Sequence, residues 1–178
     1  WVYLRRADDW LKQPELLPLM AEAGLFMGLV GVEFESDAEL MKVGKGVTIK
    51  QIKDTVNGLR SHNIATVGTL LIGLENDDEA LIKERLRVAN EIDTDIITLN
   101  YVTPIPGSPL WHKSIENGLE KINLKDWDFH HSVVPTKYLS IEDVGRLGAW
   151  CMREFTSKPE RFLISCRPQI PLWGALSP

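Results

Sequence analysis

The sequence predicts an α/β fold in which parallel strands form a sheet backed by an outer layer of helices. Two observations carry that prediction. Three apolar runs, near 25–33, 64–73 and 95–102, are almost continuous rather than alternating, as in parallel strands covered on both faces. Each run ends on a glycine or an acid and hands over to a helix start, at nearly even spacing along the chain. A further strand opens the chain at 1–5, so the order reads β-α-β-α-β-α-β followed by a helical C-terminal part. Right-handed crossovers then give an open or partly closed parallel sheet with its helices outside.

The helices announce themselves in turn. One covers 14–23 and closes on Gly24, the residue type that most readily ends a helix. Ser36 with Glu39, and Thr48 with Gln51, have capping-box form. Behind Thr48, the positions Ile49, Ile52, Val56 and Leu59 recur at helical spacing. Asn76 or Asp77 opens the next helix, whose apolar positions are Leu81, Leu86, Val88 and Ala89. Ser108 before Pro109 pairs an N-cap with proline at the first helical position. Ser140 and Asp143 open the last helix, which carries Val144, Leu147 and Cys151. The connection at 117–138 is long enough to be functional, and the proline-bearing tail from Lys158 reads as extended.

At 178 residues, with 44% hydrophobic and 25% charged residues, the chain can bury a sizeable core. A net charge of −5 with scattered Lys and Arg argues against a nucleic-acid face. The densest basic group, 83–87, is interrupted by Glu84 and reads as a solvated helix face. Cys151 and Cys166 fit no metal spacing and read as free thiols of a cytoplasmic protein. No apolar run is long enough to span a membrane. The chain starts at Trp1 in what reads as mid-sheet, so a longer parent protein is expected. Trp1, Tyr3 and Leu4 would leave that strand edge sticky, which predicts self-association through it.

Three junctions between strand and helix concentrate the chemistry, because active sites of such folds form at the carboxyl ends of the strands. Arg6-Ala7-Asp8, then Glu15 with Ala23-Gly24, resembles the third strand and helix of radical S-adenosylmethionine enzymes. Gly31-Val32-Glu33, with Lys45-Gly46 twelve residues further on, resembles their fourth-strand signature. Ile72-Gly73-Leu74-Glu75-Asn76 resembles the fifth-strand glycine motif. Thr103-Pro104-Ile105-Pro106-Gly107-Ser108-Pro109-Leu110 resembles the sixth-strand run of the cobalamin-associated group. Within that group, Gly73-Leu74-Glu75-Asn76 is similar to the anaerobic magnesium-protoporphyrin monomethyl ester oxidative cyclases. Phe34-Glu35 stands where many members have Ser-Gly, and the Cys-x3-Cys-x2-Cys loop is absent, as expected if it lies upstream of Trp1.

The resemblance implies the second half of a six-stranded partial (β/α) barrel of TIM type over 1–118, then a loop, helix and tail over 119–178. It implies S-adenosylmethionine and a [4Fe–4S] cluster in the parent enzyme, with cobalamin as a further cofactor, and a small-molecule substrate such as a porphyrin. Oxidative cyclisation of a tetrapyrrole is the implied reaction. A cobalamin-dependent radical methyltransferase and a cluster-less binding or assembly module are the alternatives, and this piece alone is expected to be inactive. By family position, Glu33 would accept from the ribose hydroxyls, Lys45 would meet a carboxylate, and Gly73 would admit the ligand close to the backbone. Tyr101, Val102 and Pro104 would offer backbone groups and an apolar wall to adenine. Each has a plainer alternative: a helix cap or basic partner for Glu33, solvent for Lys45, a turn for Gly73, a rigid strand exit for the last three. His130 and His131 read as loop surface rather than metal ligands, and Trp127 as a candidate wall for a flat substrate.

Overall fold

The computed structural model describes residues 1–116, 124–158 and 161. Four strands, β1 (Val2–Arg5), β2 (Met27–Glu33), β3 (Ala65–Ile72) and β4 (Ile96–Tyr101), form one sheet in sequential order. Every neighbouring pair is parallel, so all four carboxyl ends meet on one edge. The intervening helices are α1 (Ala7–Lys12), α2 (Leu16–Glu22), α3 (Asp37–Lys42), α4 (Ile49–Ser61) and α5 (Glu79–Ile92). After β4 come α6 (Pro109–Glu116) and α7 (Ile141–Thr156). The pattern of strands and long helices is the one expected. The short helix α1 is the element that hydrophobic periodicity did not announce.

Caps explain most of the helix starts. Thr48 and Ser140 form complete capping boxes with Gln51 and Asp143, each side chain satisfying the other residue's amide. Ser36 caps α3 by accepting from the Glu39 amide. For α5 the capping residue is Asp78, one position beyond the pair expected. The displacement has a reason: Asp77 is turned inward, 1% exposed, and is engaged elsewhere.

The core lies between the sheet and α4, α5 and α7. It takes Val30, Val32, Leu70, Ile72, Ile97 and Leu99 from the strands, and Ile52, Val56, Leu59, Ile82, Leu86, Val144, Leu147 and Cys151 from the helices. Tyr101 from β4 slides against Gly148 of α7, where a Cβ would lie 2.1 Å from the phenolic oxygen. The opposite face differs from the expectation of cover on both sides. Among the described residues Val2, Leu4 and Ile96 stay exposed there, and Met27, Leu29, Thr69, Leu71, Thr98 and Asn100 are half-buried. The apolar runs therefore reflect a helix-covered face plus an open face that is itself largely apolar.

The stretch after α6 returns across the carboxyl edge. The Tyr101 amide donates to the Phe129 carbonyl at 2.8 Å, and the Lys137 amide to the Glu75 carbonyl at 2.8 Å. Val133 and Val134 bury themselves against Val102, Trp111, Ile115 and Trp127 in a small second core. No helix among the described residues is long and apolar enough to cross a membrane. Cys166 and the tail beyond 161 lie outside the described residues.

Candidate functional site

The end of β2 is bent by design of its sequence. Two residues of β2, Val32 and Glu33, stand against a single step of β3, which makes a bulge between Gly31 and Glu33. The Phe34 amide then donates to the Val32 carbonyl at 2.6 Å, and Glu33, at the centre of this three-residue turn, has a φ of 52°. A positive φ in a glutamate is uncommon and is tolerated where the surroundings hold it. Its effect is to fold the carboxylate back over the strand. Gly31 leaves the room: a Cβ there would lie 2.9 Å from Glu33 Oε1.

The Glu33 carboxylate meets Lys45 Nζ at 2.7 Å, with the two side chains 23% and 33% exposed. Arg6 donates to the Lys45 carbonyl. Arg6, Ala7, Gly31, Lys45 and Val47 line a shallow open cleft beside this pair. The structure thus brings Glu33 and Lys45 together, and adds Gly31 and Arg6, which the sequence reading left out of the site.

Beneath this half-open pair lies a fully enclosed one. The Arg85 guanidinium, 1% exposed, donates Nε to Glu35 at 2.9 Å. It also holds Asp77 with both terminal nitrogens, at 2.9 and 3.0 Å, and donates to the Leu71 carbonyl at 2.7 Å. The Phe34 ring lies under it, 5.7 Å from its carbon to the ring centre. Burial alone would lower the Arg85 pKa; the hydrogen bonds and charges of Asp77 and Glu35 together raise it above the ordinary guanidinium. Reading 83–87 as a solvated face is corrected here. Lys83, Glu84 and Arg87 do face solvent, but Arg85 falls on the buried stripe with Ile82, Leu86 and Ala89. Helical spacing was the signal that could have found it.

Asp77 also organises the end of β3. Its Oδ2 accepts the Gly73 amide at 3.0 Å and the Leu74 amide at 3.1 Å. Gly73 has a φ of 85°, which favours glycine, and a Cβ there would sit 3.5 Å from Val144. The glycine's place is thus accounted for by the turn. At the end of β4 the Tyr101 and Val102 amides are engaged with Phe129 and Ile72. The Pro104 carbonyl accepts from Trp127 Nε1 at 2.6 Å, so this tryptophan packs inward against Trp111. Val102 contributes its side chain to the second core.

Neither histidine of the pair finds metal company. Asp128 accepts the amides of His130 and His131 and the His131 ring on an exposed loop. Among the described residues no group of three His, Cys, Asp or Glu could hold a metal ion. Cys151 lies in the core, where burial pushes its thiol up to about 11, so it is protonated at neutral pH. The described residues do not fit an iron–sulfur cluster, which needs several thiolates together. A half-exposed carboxylate folded over a glycine beside a cleft does fit a ligand with neighbouring hydroxyls.

Comparison with known proteins finds distant relatives of the chain. The chain is 30% identical over 83% of its length to the anaerobic magnesium-protoporphyrin IX monomethyl ester cyclase of Rubrivivax gelatinosus, covering 26% of that protein. The proteins it matches are radical S-adenosylmethionine enzymes. An uncharacterized methyltransferase of Pyrococcus horikoshii is 26% identical over 72% of the chain, which covers 28% of it. The hopanoid C-2 methylase of Rhodopseudomonas palustris is 26% identical over 60% of the chain, which covers 20% of it. No family model matches. The chain spans about a quarter of the length of these curated relatives.

Proposed function

We propose that the chain forms the second half of a radical S-adenosylmethionine partial barrel and works within a longer iron–sulfur enzyme that oxidatively cyclises a tetrapyrrole. The similarity to a magnesium-protoporphyrin cyclase across 83% of the chain carries this reading. The parallel strand ends gathered on one edge support it, as does the open apolar face beneath them, which suits a flat macrocycle. S-adenosylmethionine, with a [4Fe–4S] cluster held elsewhere in the enzyme, would supply the 5′-deoxyadenosyl radical. The residues of this chain bind and orient. Glu33 accepts from the ribose hydroxyls, and Lys45, released from Glu33, meets a ligand carboxylate. Gly73, Tyr101, Val102 and Pro104 flank the adenine side. A cobalamin-dependent methyltransferase is the second reading, favoured by the methylase relatives. The protein works in the cytoplasm.

In the full-length enzyme, reconstituted anaerobically, Glu33→Gln should weaken S-adenosylmethionine binding by about 1.5–3 kcal/mol, the scale of lost hydrogen bonds to a charged group. Unchanged affinity in titration calorimetry would make Glu33 a local structural partner of Lys45. Incubation with magnesium-protoporphyrin monomethyl ester should yield a product with the new carbocyclic ring; a methylated product selects the second reading. The isolated chain should self-associate through β1, whose Trp1, Val2, Tyr3 and Leu4 are all exposed. Light scattering that gives a monomer of 20.1 kDa refutes this.

A further inference from the structure

The ends of β2 and β3 carry two unusual turns, and one side chain holds both. At β2, Glu33 sits at a φ of 52° in a three-residue turn, a conformation that costs free energy and needs outside support. Its nearest support is the next two residues: Phe34, 3% exposed, and Glu35, whose side chain is 7% exposed. Both contact Arg85, one through the ring face and one through Nε. At β3, the turn 73–77 is closed by Asp77, which accepts two backbone amides with the same oxygen that receives Arg85 Nη1. The guanidinium reaches the strand itself through the Leu71 carbonyl. Its planar fork is the feature that allows three partners at once; a lysine ammonium offers no such geometry.

We infer that Arg85 is a positioning residue that locks the β2 and β3 turns to one another, so that the Glu33 carboxylate is aimed by a network it does not itself belong to. This rests on the proposed role of Glu33 as a ligand to S-adenosylmethionine. The network is enclosed, with the Arg85 and Asp77 side chains each 1% exposed. Its influence on binding passes through the Phe34–Glu35 segment to the residue just before it. Asp77 keeps Arg85 charge-balanced if Glu35 is lost, so cutting the link to β2 need not collapse the network.

A double-mutant cycle in the full-length, reconstituted enzyme tests this, with S-adenosylmethionine affinity read by titration calorimetry and the two turns read by amide hydrogen exchange. Glu35→Met should weaken binding roughly three- to thirty-fold, the usual range for residues acting at one remove. It should also speed exchange of the Phe34 amide. In the Glu33→Gln background the same substitution should cost almost nothing, because nothing remains to be aimed. Losses that simply add would overturn the inference, since a general structural role predicts additivity. Glu35→Met with wild-type affinity, while Glu33→Gln is weakened, overturns the inference and leaves the proposed ligand role standing. Glu33→Gln with wild-type affinity overturns both. If Glu35→Met does not fold, the isosteric Glu35→Gln carries the same cycle with a smaller expected loss. Arg85→Lys should free both turns together in hydrogen exchange; freeing of one alone also counts against the coupling.

Discussion

Glu33 and Glu35 stand two residues apart at the end of β2, and each meets a cationic partner, Lys45 at 2.7 Å and Arg85 at 2.9 Å. The surroundings make them different in kind. The Glu33 pair with Lys45 is open, its side chains 23% and 33% exposed, so water can replace either partner at little cost. The Glu35 pair with Arg85 is 7% and 1% exposed, and Arg85 is simultaneously tied to Asp77 and to Leu71. A charge there cannot lose its partner without standing bare in a medium that screens it poorly. The contrast assigns the two glutamates different work. An open pair can exchange its partner for a ligand; an enclosed pair can only hold shape. The turn explains how neighbours come to this: regular alternation would put residues 33 and 35 on one face, but Glu33 sits at the centre of the turn closed from Phe34 to Val32, with a φ of 52°, and Glu35 follows it.

The largest test of that contrast is Arg85→Met. It fills most of the same volume and leaves Asp77 and Glu35 as buried carboxylates without their cation. Urea denaturation of the chain should show a loss of about 3–5 kcal/mol, the scale for breaking a buried pair. A loss below about 1 kcal/mol would mean that the network contributes little to the fold. A middle-sized effect should come from the third strand end, which is held by packing rather than charge. Gly148→Ala puts a methyl group on the Tyr101 hydroxyl and on Leu99, with distances of 2.1 and 2.7 Å before any shift. Overpacking of this type costs about 1–3 kcal/mol. A neutral result would show that α7 can slide on β4. The smallest effect belongs to Lys45→Met, which breaks only the open pair. Its cost in stability should stay under about 1 kcal/mol and shrink further in salt. A cost comparable to that of Arg85→Met would erase the distinction between the two glutamates.

Much of this was legible in advance, and the parts that were not have a common cause. Four strands, their parallel order and five of the helix starts followed from apolar runs and caps, which are local signals read within a few residues. Lys45 was legible as a site residue only through family position, and the eleven residues between it and Glu33 carry no hint that the two meet. By sequence alone Asn76 or Asp77 opens α5, and the run Asn76-Asp77-Asp78 gives no local means of telling capping residues apart. The choice among them fell to Asp78 once Arg85 claimed Asp77.

Local chemistry by itself determined the elements: continuous apolar runs, helical patterns, caps, and glycines at positive φ such as Gly73 are set within short stretches of chain. Only the tertiary structure decided which charges are buried. A charge run such as 83–87 has the same composition whether it faces water or a core. What singles out Arg85 is that β2 and the β3 turn, remote in sequence, bring Glu35 and Asp77 to the same point. Burial of a charge is stabilised by partners that the chain supplies from 50 and 8 residues away, and no local window contains both.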